Sequence, residues 1–266
     1  MHASPRRVWD TFAVSAILTI LWVVVLPLDS LQAASAASAS PRQGAQEFGK
    51  NAVQSRLMVE TGYRRDELDW SIAGRLFDYT QHRDVTVNVL SELTWHDLDI
   101  HQVGISNETL FADHYFFRLA FSQGSIYDGE NQDSDYKGNN RTGEWSRSNN
   151  SADKGEVRDM SVATGYRFNL YKKKIALTPL LGYSYHEQNL VMTDGYQSVS
   201  EPDPDLRLNP PDVGPFDGLN SSYDTRWRGP WLGLDTRYAL VLPRPSLMMT
   251  FGVGLEYHWV DYSASA

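Results

Sequence analysis

From Leu247 to Trp259 every second residue is apolar. Leu247, Met249, Phe251, Val253, Leu255, Tyr257 and Trp259 alternate with Met248, Thr250, Gly252, Gly254, Glu256 and His258. A period of two over that length predicts one continuous β-strand with an oily face and a small or polar face. At roughly 3.3 Å per residue such a strand crosses a bilayer at a tilt, whereas strands in soluble domains commonly stop after about five or six residues. The pattern recurs upstream. Met160, Val162, Thr164, Tyr166, Phe168 and Leu170 face one way, with Ser161, Ala163, Gly165, Arg167 and Asn169 between them. Ile175, Leu177, Leu181, Tyr183 and Tyr185 repeat it, as do Leu232, Leu234, Thr236, Tyr238 and Leu240, and Tyr115, Phe117, Leu119 and Phe121. Pro179 interrupts one of these runs, and a central proline requires a bulge or irregular register to be tolerated. Leu93 and Trp95 followed by Leu98 and Ile100 slip phase by one residue, which predicts a β-bulge. Seven strands are expected, over residues 55–73, 85–105, 114–126, 156–170, 174–190, 223–241 and 246–262.

The connections divide into two kinds. Residues 107–113, 171–174 and 242–245 read as short turns, while 122–155 and 189–222 are polar and read as long loops. Short turns at one rim and long loops at the other are the arrangement of an outer-membrane barrel, with the long loops outside the cell. Tyr166, Tyr183, Tyr185, Tyr238, Tyr257 and Trp259 lie at strand ends, where interfacial aromatics sit. A secreted β-sandwich with two large loops is the competing architecture. An odd number of strands leaves an open edge, which a lipid-embedded sheet does not tolerate, so the barrel is expected to be C-terminally incomplete or to take strands from another chain.

The N-terminus and composition fit export. Arg6 and Arg7 precede the uncharged apolar run Phe12–Leu28, and Ala34-Ser35-Ala36 offers a cleavage site. Residues 1–36 therefore read as a signal peptide, with an uncleaved anchor helix as the alternative, and 37–53 as a low-complexity leader. The barrel is expected over 54–266. The chain has no cysteine and a net charge of −9, which excludes a disulfide-stapled secreted domain and argues against a nucleic-acid binder.

At Gly129-Glu-Asn-Gln-Asp-Ser-Asp-Tyr136, followed by Gly143-Glu-Trp145, the chain resembles the omptins, ten-stranded outer-membrane endopeptidases of Gram-negative bacteria. Ser91-Glu-Leu-Thr-Trp95, Gly165-Tyr-Arg-Phe-Asn-Leu170, Leu181-Gly-Tyr183, Arg226-Trp-Arg-Gly-Pro-Trp-Leu-Gly-Leu234 and Tyr257-His-Trp-Val260 extend the resemblance in order along the chain. The fold it implies is an all-β, antiparallel transmembrane β-barrel with about seven of the family's ten strands present. The same superfamily includes outer-membrane proteins that are not proteases.

In omptins an Asp-x-Asp in the second long loop faces an Asp-x-His beyond the seventh strand, and together they activate a water that attacks the peptide. By that resemblance Asp133 and Asp135 are the catalytic carboxylates, Glu67 helps form a substrate pocket for a basic side chain, and Arg226 and Arg228 contact lipopolysaccharide phosphates. The lipid site's Tyr-x-Glu-x-Arg is expected at Tyr183-Ser-Tyr-His-Glu187, with its aromatic retained and its charges lost. The Asp-x-His position falls at about Ala266 and beyond, so this chain carries no catalytic His there. His258 reads as an inward polar residue of the last strand rather than a displaced base.

Each of these residues also has a plainer reading. Asp128, Glu130, Asp133 and Asp135 suit the solvated face of an acidic loop, and Glu67 an ordinary rim carboxylate. Calcium-loop, zincin, phosphate-loop and serine- or cysteine-nucleophile patterns are missing from the sequence, so neither cofactor nor metal is expected. Two functions remain open: an endopeptidase for basic peptides, or a non-catalytic barrel acting as a surface adhesin, a structural protein or a porin-like protein. Expected partners are outer-membrane lipid with lipopolysaccharide, and a basic peptide or host surface protein.

Overall fold

A computed structural model describes residues 53–241 and 248–265. The expected signal peptide, leader and the 242–247 turn lie outside these residues. The chain forms nine strand segments in one antiparallel sheet: β1 (Val53–Asp78), β2 (Arg83–Phe111), β3 (Tyr115–Gly138), β4 (Thr142–Tyr166), β5 (Phe168–Leu170), β6 (Ile175–Ser200), β7 (Gly214–Val241), β8 (Met248–His258) and β9 (Asp261–Ser265). Sequential neighbours pair in the order β1-β2-β3-β4-β6-β7-β8. β5 continues the line of β4, since both pair with β6, and β9 continues that of β8, since both pair with β7. Seven staves result, as the alternation predicts. β1 and the β8–β9 line each have a neighbour on one side, so the sheet is not closed among the described residues.

Most of the polar sequence expected to form long loops is strand instead, with residues 201–213 remaining a connection. β3 and β4 stay paired up to Gly138 and Thr142, joined by a single 3-10 turn at Asn139–Arg141, and β6 runs on to Ser200. Residues beyond the bilayer face water outside and polar groups inside, so Ser, Asn, Gln and Asp suit both faces and hide the period of two. The short connection expected at 107–113 is likewise mostly strand, with the turn confined to 112–114.

The two irregularities read from the sequence have physical counterparts. Register shifts lie between Asp66 and Leu68 on β1 and between His96 and Asp99 on β2, and Asp97 has φ 52°. The bulge keeps Trp95, Leu98 and Ile100 all facing inward, each fully buried. Pro179 sits where the β4–β5 line breaks: Gly165 pairs with Leu180 and Phe168 with Leu177. The missing proline N–H therefore falls at an interrupted ladder.

Outward residues form an apolar band. Leu57, Val59, Val103, Ile105, Phe117, Leu119, Phe121, Met160, Val162, Leu181, Leu232, Leu234, Val253 and Leu255 are all exposed. Tyr63, Tyr115, Tyr166, Tyr183, Tyr238, Tyr257 and Trp259 flank them, a hydrocarbon-facing belt with aromatic girdles. Inward residues fill the lumen. Arg118 of β3 pairs with Glu256 of β8 and lies 3.6 Å from Asp235 of β7, and Arg237 of β7 reaches Glu108 of β2 at 2.7 Å. Gln188 of β6 donates to Asp66 of β1 at 2.6 Å. These contacts require a strongly curled sheet whose concave face is the lumen. Trp231, fully buried at its centre, lies against Gly182, where a Cβ would come within 2.2 Å of the indole.

Candidate functional site

Past the membrane band, toward the 79–82, 139–141 and 201–213 connections, the lumen changes character. Two cross-strand rows define its wall. Leu68, Trp95, Asn131 and Asn150 form one, and Trp70, Leu93, Asp133 and Ser148 the next. Directly paired residues share a face of the sheet, so both rows point inward with the core around Trp95. Tyr223 of β7 is stacked between Trp70 and Trp95, its ring centroid 5.6 Å from one and 5.1 Å from the other. This aromatic sandwich, with Leu98, Ile100, Ile126, Val157 and Leu190 below it, plugs the lumen.

Asp133 and Asp135 stand on this wall at the edge of the sandwich, two residues apart on the same face. The structure brings them together as expected, but on a strand rather than in a loop. Burial pushes the Asp133 carboxyl up to about 6, and the charge of Asp135 adds to the effect. Asp135 is also raised by burial, with the hydroxyl of Ser91 opposing the shift. Asp133 Oδ1 is buried and meets no donor among the described residues. A solvated acidic loop shows neither property.

Three further buried atoms of the two rows lack partners among the described residues: the indole Nε1 of Trp70, that of Trp95, and Asn150 Oδ1. Asn150 Nδ2 is used, donating to Asn131 Oδ1 at 2.8 Å and to Ser148 Oγ at 3.1 Å, while Asn131 Nδ2 donates to the Thr94 carbonyl at 3.1 Å. The wall therefore presents two unused donors and two unused acceptors.

The remaining candidates lie elsewhere. Glu67 is exposed, on the face opposite Leu68 and Trp70, because alternation along β1 turns it outward. It does not join the carboxylate pair; Trp70, not Glu67, shares the inward face with Asp133. Arg226 and Arg228 are exposed on the outer face of β7, just beyond Leu232 and Leu234 of the apolar band. Arg226 Nε donates to Glu187 at 2.9 Å, and Arg158 approaches the same carboxylate at 4.0 Å. Tyr185 opposes Arg228 across the ladder. Tyr185 and Glu187 thus lie beside Arg228 and Arg226 on the outer face.

His258 faces inward, as expected of a polar strand residue. It opposes Trp231, its Nδ1 lies 3.0 Å from Ser184 Oγ, and its Nε2 lies 3.2 Å from Glu256 Oε2. Nearby, Asp159 Oδ1 lies 2.8 Å from His186 Nδ1, and its Oδ2 accepts from Arg64 at 2.9 Å and from Gln102 and Ser122 at 3.1 Å each. This Asp–His pair is remote from the distal carboxylates. Ser122 and Asp133 are eleven residues apart on β3, about 36 Å at strand rise, so neither histidine serves Asp133.

The family resemblance marked Asp133 and Asp135 in the sequence, and the apolar alternation marked Trp95. Nothing local marked Tyr223 or Asn150, whose roles arise from packing across four staves.

A family model described as Protochlamydia outer membrane protein matches residues 58–266. No curated protein matches the chain. Among solved structures, the outer membrane protease OmpT from Escherichia coli superposes with a TM-score of 0.51 at 16% identity, over 80% of this chain and 67% of that one. At that identity the likeness is one of fold, an omptin-like barrel.

Proposed function

The chain belongs to the Protochlamydia outer membrane protein family, and from that premise we propose that this omptin-like outer-membrane barrel binds cationic peptide segments at its distal lumen. Asp133 and Asp135 supply the recognising charge. The observation that carries this reading is the buried Asp133 oxygen without a donor, on a carboxyl pushed up to about 6. A lone buried carboxylate is costly, and a ligand ammonium or guanidinium removes that cost with a charge-assisted hydrogen bond. The chain's acidity, −9 overall, attracts such a ligand over longer distances.

Peptide hydrolysis by the omptin route is the second reading. Two neighbouring carboxyls that are both raised share protons and hold a water between them, as Asp133 and Asp135 would. A porin reading is disfavoured by the charged pairs and aromatic stack that fill the lumen. On the outer face, Arg226 and Arg228 beside Tyr185 suit lipopolysaccharide phosphates, and the belt itself suits outer-membrane lipid.

Asp133→Asn with Asp135→Asn separates these readings from a structural role. Binding of an Ala-Arg-Arg-Ala amide to the full-length protein in detergent should fall at least about tenfold, one lost charge-assisted contact. Unchanged affinity rejects the binding site. Cleavage of the same peptide by intact cells displaying the protein, lost in Asp133→Asn, supports hydrolysis; no cleavage by the wild type rejects that reading and leaves binding in place.

A further inference from the structure

The connection from Ser200 of β6 to Gly214 of β7 is longer than a hairpin needs. It leaves β6 beside β4, where the Glu201 N–H donates to the Trp145 carbonyl at 2.8 Å. Asp203 then accepts from Lys137 Nζ of β3 at 2.8 Å. Beyond it the chain folds into a tight turn. Asp203 and Leu208 exchange backbone hydrogen bonds at 3.0 and 2.9 Å, and Asp203 Oδ1 accepts from the N–H groups of Asp205 and Leu206. The tip of this turn reaches the β1–β2 connection. There the Tyr79 N–H donates to the Asp205 carbonyl at 2.9 Å, and the Arg207 guanidinium lies 3.7 Å from the centroid of the Tyr79 ring.

β6 and β7 face β1 across the lumen, through Gln188 on Asp66 and Tyr223 on Trp70. A connection that rises from β6, touches the β1–β2 turn and returns to β7 therefore spans the distal mouth. It passes beside the acidic wall, since Lys137 follows Asp135 by two positions along β3, about 7 Å at strand rise. Its fastenings are local and weak. A partly exposed ion pair and a surface cation–π contact are each worth little in water, and segments held in this way are the first parts of a fold to open. The two cations that fasten it, Lys137 and Arg207, are of the ligand's own kind.

We propose that the 201–213 connection is a latch over the distal mouth, opened when a cationic peptide displaces Arg207 from the Tyr79 ring and Lys137 from Asp203. This rests on the peptide-binding reading above and deepens it, because it names what the ligand must move to reach Asp135 and Asp133. In the closed state the chain's own cations occupy one aromatic face and one carboxylate at the mouth. A ligand arginine or lysine replaces each contact with another of the same type, so opening costs such a ligand little. A neutral peptide gains nothing by opening the latch, and a ligand shifts an equilibrium only by its differential affinity for the two states. The latch thereby selects for charge before the acidic pair is reached.

The chain has no cysteine, so a single introduced thiol reads access directly. Full-length protein in detergent carries either Asp135→Cys near the mouth or Ser184→Cys in the buried mid-lumen, and a cationic methanethiosulfonate labels it. Adding Lys137→Ala with Arg207→Ala should speed labelling of Asp135→Cys about tenfold, the combined worth of the two fastenings, and leave Ser184→Cys unchanged. No acceleration at the mouth overturns the latch, and so does equal acceleration at both sites, which means a loosened barrel. A lock supplies the converse. Tyr79→Cys with Asp205→Cys, at positions already joined by a backbone hydrogen bond, places a disulfide across the mouth. When oxidised it should slow association of fluorescently tagged Ala-Arg-Arg-Ala amide at least about tenfold by stopped-flow anisotropy, and reduction should restore the rate. Equal association in both forms overturns the proposal. Should Asp133→Asn with Asp135→Asn bind like the wild type while the lock still slows association, the acidic reading fails and the latch stands. Should the acidic variant weaken binding while the lock changes nothing, the latch alone fails.

Discussion

At the scale of single residues, Asp133 works against the fold that holds it. Its carboxyl titrates at about 6 in the folded chain against an ordinary value of 3.8, through burial first and Asp135 second. Between those values the folded chain keeps a proton that the unfolded chain has released. Stability therefore falls as pH rises through the window, and above it the ionised group costs on the order of 1–3 kcal/mol. Asp133→Asn removes that titration. The variant should melt above the wild type at pH 8 and together with it at pH 4; identical melting at both pH values would mean that the carboxylate is solvated. Retaining a destabilising group in a packed wall is the common cost of a binding function. The motif around Asp133 was readable in the sequence, but its burial was not. That burial comes from the pairing of β3 with β2 and β4 and the packing of the distal lumen, which strands far apart along the chain build together.

At the scale of the strand, the period of two located six of the seven staves, the first being less regular, because lipid favours an apolar residue at outward positions of the band. Beyond the band that pressure ends. β3 continues through Gln132, Ser134 and Lys137 with no apolar alternation to betray it, which is why sequence pattern stops near Phe121 while the strand runs to Gly138. The same reasoning predicts that tolerance to charge depends on depth. Leu119 lies within the band and is about half exposed, whereas Gln123, on the same outward face, already bonds Glu156 at 3.0 Å. Leu119→Arg should cost about 2–4 kcal/mol and Gln123→Arg about 0–1 kcal/mol, read as urea unfolding midpoints in lipid vesicles. Equal costs would place the hydrocarbon boundary elsewhere.

At the scale of the whole molecule, the lumen is held by charges whose partners are remote in sequence, and none of those pairings could be read from the chain. Alternation tells which side chains face inward; it cannot tell which of them meet, because that depends on how tightly the sheet curls. Glu108 is the clearest case. It accepts from Arg237 at 2.7 and 2.9 Å across 129 residues, and from Arg56 on the neighbouring β1 at 2.9 Å. It thus ties β1, β2 and β7 together across the lumen, with its side chain only 10% exposed. Removing it leaves Arg237 and the half-exposed Arg56 without their shared carboxylate. Breaking a fully buried pair costs about 3–5 kcal/mol, and this partly exposed one should cost less, about 2 kcal/mol or more. Glu108→Gln keeps the shape and an acceptor but not the charge, so its loss should be smaller than that of Glu108→Ala. If the pair is instead a solvated surface contact, both variants should fall within about 1 kcal/mol of the wild type. The double variant Glu108→Ala with Arg237→Met supplies the decisive comparison. It removes one of the stranded charges along with the carboxylate and should recover part of the stability lost in Glu108→Ala. No recovery would mean that the lumen is held by packing around Trp231 and the distal aromatic stack rather than by charge.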